Sequence, residues 1–166
     1  MHTTDKPPRF TIREARDSDA ATIASFNSLM AEETEGKALD PDTIDAGVRG
    51  LLADAALGRY WVAETADEII GQLMVTYEWS DWRNGTIWWI QSVYVPGTWR
   101  RKGVFSALYR HVESLAAADP EVIGLRLYVE ENNTRAQHTY EALGMVKPNY
   151  LVMEALFGQS PANKEK

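Results

Sequence analysis

The sequence predicts a mixed α/β fold of the α+β kind: a mostly antiparallel mixed sheet with helices on both faces. Three observations lead there. Apolar residues recur at helical spacing in four segments, strand-length apolar or alternating runs lie between them, and the order reads β-α-α-β-β-β-α-β-α-β-β. Strands joined by short turns pair antiparallel, whereas a late strand–helix–strand crossover makes one pair parallel. The 166 residues, 45% hydrophobic and 25% charged, suit a single compact domain over 10–157, with a leader at 1–9 and a polar tail at 158–166.

Residues 10–13 alternate apolar and polar, as a half-buried strand does. Asp17 and Ser18 are suitable N-caps for a helix carrying Ile23, Phe26, Leu29 and Met30. Asp40-Pro41 opens a second helix through Ile44, Val48, Leu51 and Leu52, which stops near Gly58. Strands at 60–64 and 69–78 flank an acidic turn, and Asn84-Gly85 marks a hairpin between 69–78 and 86–95. Pro96-Gly97 ends that strand. A helix over 103–118 carries Val104, Leu108, Val112 and Leu115 on one face, and Asp119-Pro120 stops it. A buried strand at 123–129 and a helix at 134–143, stopped by Gly144, come next. Residues 145–146 and 150–156 read as closing strands.

The charge balance narrows the partners. A net charge of -7 disfavours nucleic acid, whose phosphates the chain would repel overall. No apolar run is long enough to span a membrane and no secretory signal opens the chain, so a cytoplasmic location is the expectation. The absence of cysteine removes disulfides, thiol nucleophiles and thiolate metal sites. His111 and His138 lack a partner at ligand spacing, so no metal is expected.

Within this acidic chain Arg100, Arg101 and Lys102 stand together, directly before Gly103 and a helix. The first turn of a helix has backbone N–H groups without intrahelical acceptors, and its dipole favours an anion. Gly103 lets a phosphate come close to the backbone. The ending of a Walker loop and the three glycines of a dinucleotide fingerprint are both missing. On these residues alone, a loop-capping glycine beside exposed basic residues fits equally well.

Arg100-Arg101-Lys102-Gly103-Val104-Phe105 resembles the Arg/Gln-x-x-Gly-x-Gly/Ala loop of the GCN5-related N-acetyltransferase (GNAT) superfamily, and it follows a strand ending Val93-Tyr94-Val95-Pro96 as in that family. Phe105 departs from the small residue usual there. A second block, Leu127-Tyr128-Val129 followed by Asn133, Ala136, Tyr140, Gly144 and Met145, is similar to the family's strand–helix segment, in order and spacing. The resemblance implies a GNAT-like fold with a splayed parallel strand pair, and acetyl-CoA as cosubstrate without a metal. The pyrophosphate would rest on Arg100, Arg101, Lys102, Gly103, Val104, Phe105 and Ser106. Val93, Tyr94, Val95 and Asn133 would hold the pantetheine arm, which pairs like an added strand.

The same resemblance makes Tyr140 the donor of a proton to the departing thiolate, a role its phenol suits. A backbone N–H of Val93 or Tyr94 would polarise the thioester. Many relatives carry a basic glutamate near the position of Gln91, which cannot take a proton; Glu78, acting directly or through a water, is the substitute expected here, with Glu33 and Glu35 as further options. Glu33, Glu35, Trp79, Trp88 and Gln91 are the residues expected at the acceptor, and aromatic walls with carboxylates suit a small cationic amine. A protein lysine or N-terminus is an alternative acceptor, and a non-catalytic acyl-CoA-binding module an alternative function. A homodimer is left open.

Overall fold

Side-chain alternation in the strands produces one sheet whose spatial order, β1-β2-β3-β4-β5, follows the chain. The computed structural model describes residues 9–157. They fall into two units, the first running to Tyr128 and the second beginning at Val129. Most of the expected leader and all of the expected tail lie outside the described residues. The strands are β1 Thr11–Glu14, β2 Gly58–Glu64, β3 Ile69–Ser80, β4 Gly85–Tyr94 and β5 Val122–Leu127. Helices α1 Ala20–Glu35 and α2 Pro41–Ala53 join β1 to β2, and α3 Val104–Ala118 joins β4 to β5. The first four strands pair antiparallel and β4–β5 is parallel. This is the mixed sheet expected.

One helix start and one turn differ from the expectation, and one cap matches it. Asp17-Ser18 lies in a 3-10 turn, and α1 starts three residues later, after Asp19. The Asp40 carboxylate accepts from the Thr43 N–H at 2.9 Å, so α2 begins as expected. The β3–β4 connection is the four residues Asp81 to Asn84, with Asn84 left-handed at φ 47°. Gly85 already belongs to β4, and a Cβ there would lie 2.4 Å from Ile123 Cγ2. Its role is to let β5 approach, rather than to turn the chain.

Both faces of the first unit's sheet are covered. On one, Ile23, Ala24 and Val48 from α1 and α2 pack against Tyr60 and Val62, with Met74 beside them. On the other, α3 sets Val104 and Leu108 against Gly71. Asp19 is buried at the start of α1 and held by the Arg13 guanidinium at 2.7 Å, which also meets Glu64 at 2.8 Å. These contacts hold both carboxyls below their ordinary range, the hydrogen bond from Arg13 being the main cause for each. Their stabilisation is therefore full above the ordinary carboxylate pKa and is lost as pH falls through the depressed values. Arg13→Met should remove that acid dependence; a wild-type-like slope of stability between pH 5 and 3, followed by urea denaturation, would refute it.

The second unit holds α4, Thr134–Ala142. Asn133 caps its start by accepting from the Ala136 N–H at 3.0 Å. Its end is a Schellman closure: the Met145 N–H reaches the Tyr140 carbonyl at 3.0 Å, and Gly144 is left-handed at φ 94°. The expected closing strands are not formed, for residues 145–157 contain no strand. The run 150–156 has the composition of a strand, but a strand exists only with a ladder partner, and no partner pairs with it among the described residues.

Candidate active site

The site is set by a defect in β4. Gln72 lies opposite Tyr94 and Met74 opposite Gln91, so β4 carries one extra residue between these pairs. Ser92, in that bulge, is left-handed at φ 48°. A bulge leaves backbone groups outside the ladder and re-aims them. Near the same level the β4–β5 pairing stops: it runs from Thr86↔Val122 to Ile90↔Leu127, where β5 ends. Residues 91–94 of β4 therefore have no β5 residue opposite them, and backbone groups on that side need other partners.

A buried polar network holds the bulge from behind. Gln72, 0% exposed, donates from Nε2 to the Ser92 carbonyl at 3.1 Å and to Asn27 Oδ1 at 2.8 Å. Asn27, on the buried stripe of α1, donates to the Tyr60 hydroxyl at 3.3 Å. Burial chiefly pushes the Tyr60 phenol up, partly offset by hydrogen bonds with Asn27 and Ser92, so it stays a neutral hydrogen-bonding group. Gln72 Oε1 has no hydrogen-bond partner. None of Asn27, Gln72, Tyr60 or Ser92 was expected at the site. The available signals were a polar residue inside the apolar run Ile69-Ile70-Gly71-Gln72-Leu73 and an asparagine at the apolar spacing of α1.

Past β4, the chain turns through Gly97–Trp99 into the basic loop. Arg101 and Gly103 are both left-handed, at φ 62° and 80°, which sets Gly103 as the residue before α3. A Cβ on Gly103 would meet nothing within 4 Å, so open space lies beside the first turn of α3. Arg100 does something other than expected. Its Nε donates to the Val95 carbonyl at 2.8 Å, and its Nη2 pairs with Glu33 at 2.5 Å. Tyr94 donates to the same carboxylate at 2.8 Å. Arg100, then Tyr94, hold the Glu33 carboxyl below its usual range. Arg100 thus ties the loop to the end of α1, while all three cations stay exposed and neither Arg101 nor Lys102 is in an ion pair among the described residues. Lys102 Nζ sits 5.0 Å over the Trp99 ring. Phe105 is half-buried, its ring 6.2 Å from Tyr109 one turn along α3.

A cavity of about 440 Å³ lies between α1, α2 and the sheet. Glu35 and Leu39 line it, as does Ser92 at the bulge. Glu33 is held at Arg100 instead, and Gln91, which donates to the Thr76 hydroxyl, is not a lining residue. Trp79 and Trp88 project from the opposite sheet face, by the alternation that puts Met74 on the cavity side. Trp88 is half-buried against Trp61 at 6.1 Å, and Trp79 is 62% exposed. Glu78 is on the cavity's face but four residues along β3 from Met74, roughly 13 Å by strand rise. Its carboxylate accepts from Arg126 at 2.8 Å and from Trp89 at 3.0 Å.

Comparison with known proteins agrees with this geometry. Residues 23–145 match the acetyltransferase (GNAT) family. A possible acetyltransferase from Clostridium difficile 630 is 48% identical, with TM-score 0.84 over 89% of this chain and 97% of that one. An integron cassette protein from the mobile metagenome of Cole Harbour Salt Marsh shares the fold at 21% identity and TM-score 0.78, over 90% of this chain and 91% of the other. A ribosomal-protein-alanine N-acetyltransferase from Brucella melitensis biovar Abortus 2308 does so at 17% identity and TM-score 0.72, over 90% and 100%. No curated protein matches the chain. No helix among the described residues is long and apolar enough to cross a membrane. The chain belongs to the acetyltransferase (GNAT) family and is an N-acetyltransferase.

Proposed function

We propose that this enzyme moves the acetyl group of acetyl-CoA directly to a primary amine on a small molecule. The observation that carries this reading is the coincidence, at residues 91–94, of the β4 bulge with the end of β4–β5 pairing. The residues present suit acetyl-CoA. Backbone groups of Val93 and Tyr94 would pair with the pantetheine amides, while the Val95 carbonyl is already taken by Arg100. The first-turn N–H groups at Val104, Phe105 and Ser106, with Arg101 and Lys102 nearby, would receive the pyrophosphate in the space beside Gly103. Acetyl-CoA supplies an activated acyl carbon when bound. The N–H of Val93 or Tyr94 would polarise its carbonyl.

Tyr140 is the proton donor to the departing sulfur, and Asn133 a holder of the pantetheine arm. Both assignments are supported by the Asn133–Ala136–Tyr140–Gly144 pattern of the family. The Glu78 carboxylate is engaged by Arg126 and Trp89 away from the cavity, and an acceptor that enters uncharged needs no base. The volume beside Ser92 has room for a small acceptor. Free thiol released from acetyl-CoA in the presence of an amine is the test. Release should occur, and Tyr140→Phe should lower kcat by about a hundredfold or more. Acetyl-CoA binding without thiol release from any amine would leave only a binding module, and unchanged turnover in the variant would remove Tyr140 from the mechanism.

A further inference from the structure

The cavity has a wall and a floor of different chemistry. Its wall is chiefly apolar, Met30, Leu39, Ile44, Val48, Leu51 and Met74, with Thr34 among them. Its floor is polar and neutral, formed by Asn27, Tyr60 and Ser92. The titratable lining groups are Tyr60, which burial keeps protonated, and Glu35. Glu35 stands at the exposed end of α1 and is paired with Lys37 at 2.9 Å. A second ammonium held among the apolar side chains, short of Glu35 at the mouth, would be pressed against aliphatic groups, where an unpaired charge is strongly disfavoured. An amine in the same surroundings is pushed toward its uncharged form. A volume of about 440 Å³ lies toward the small end of the range for ligand pockets.

We propose, resting on the acetyl-transfer reading, that the acceptor is a monoamine with a compact apolar body. The body fills the cavity between α1 and α2, and the nitrogen, uncharged, meets the polar floor beside the bulge. The nitrogen lone pair then forms the N–C bond as the C–S bond breaks. Sulfur leaves with the bonding pair and is protonated, and the nitrogen loses its surplus proton to solvent. The acceptor's own ionisation, rather than an enzyme carboxylate, governs how kcat/KM rises with pH.

Gly47 makes this testable. It sits within α2, lines the cavity, and an added Cβ there meets nothing within 4 Å. Phenylalanine is also a better helix former than glycine, so Gly47→Phe narrows the cavity without weakening the helix. Gly50, with equally open space but outside the lining, is the control position. The probes are hexylamine and 1,5-diaminopentane, which have equal numbers of heavy atoms and differ in a terminal methyl against a second amine. Thiol release should favour hexylamine by tenfold or more in kcat/KM. Gly47→Phe should raise the KM for hexylamine by at least tenfold with acetyl-CoA affinity unchanged, and Gly50→Phe should leave both as in wild type. Equal or better use of the diamine overturns the proposed class. An unaffected hexylamine KM in Gly47→Phe overturns the cavity as its site, while acetyl transfer itself stands. Absence of thiol release with every amine overturns the acetyl-transfer reading, and this proposal with it.

Discussion

Gly103→Glu should weaken acetyl-CoA binding by at least a hundredfold. Gly103 precedes the first turn of α3, where N–H groups lack intrahelical acceptors and open space lies beside the backbone. A carboxylate placed there reaches the same N–H groups that the pyrophosphate needs, and it repels the pyrophosphate as well. The fold should survive. The left-handed φ of 80° costs a residue with a Cβ about 1–2 kcal/mol, and an acidic group near a helix N-terminus returns about 0.3–1 kcal/mol. Gly103→Ala carries the strain without the charge and separates the two effects. Titration calorimetry with acetyl-CoA should show a small loss for alanine and a large one for glutamate. Binding by the glutamate variant within threefold of wild type would mean that the pyrophosphate lies elsewhere.

Gln72→Leu should lower both stability and kcat. Leucine keeps most of the volume but removes the Nε2 donor shared by the Ser92 carbonyl and Asn27. Leaving such buried acceptors without a donor costs about 1–3 kcal/mol, offset in part because Gln72 Oε1, itself unpartnered, also disappears. With Ser92 released, the N–H groups of the bulge lose their fixed aim. Removal of one donor to a developing oxyanion costs about 10²–10³ in rate, so displacing one by losing its support should cost roughly 10–10². The KM for acetyl-CoA should rise as well, by less than the fall in kcat, because the same bulge carries the Val93 and Tyr94 groups proposed to pair with the pantetheine while the loop before α3 is untouched. Urea denaturation beside steady-state kinetics would decide: lost stability with an unchanged kcat would make Gln72 structural only.

Most of the fold was legible because its signals are local. Asp40-Pro41 announces α2, and the apolar spacing of Val104, Leu108 and Val112 announces α3. The site was legible only in part. Gly103 stood out, since a glycine before a helix has a local reason to be there. Ser92 gave no sign, because nothing in a serine marks a left-handed bulge that is imposed by packing. The three consecutive cations looked equivalent, but Arg100 meets Glu33, 67 positions away in the chain, and a partner so distant cannot be read from spacing. Trp79 and Trp88 looked like an acceptor wall because aromatics and carboxylates cluster there in sequence, yet strand alternation sends them to the face opposite the cavity. The run 150–156 shows the converse: strand-like composition does not supply a strand's partner.

The order of strands in the sheet has a consequence in chain entropy. β2, β3 and β4 meet through tight turns, so their ladders close short loops at little entropic cost. The pairing of β1 with β2 must close a loop containing α1 and α2, and that of β4 with β5 a loop containing α3. The bulge therefore belongs to the locally closed meander, while the end of the β4–β5 ladder and the cavity form where that meander meets its distant partners. Both regions proposed to hold ligands lie at joins that only long-range contacts can close, and the backbone proposed to polarise the thioester lies on the part of the chain that organises itself most cheaply.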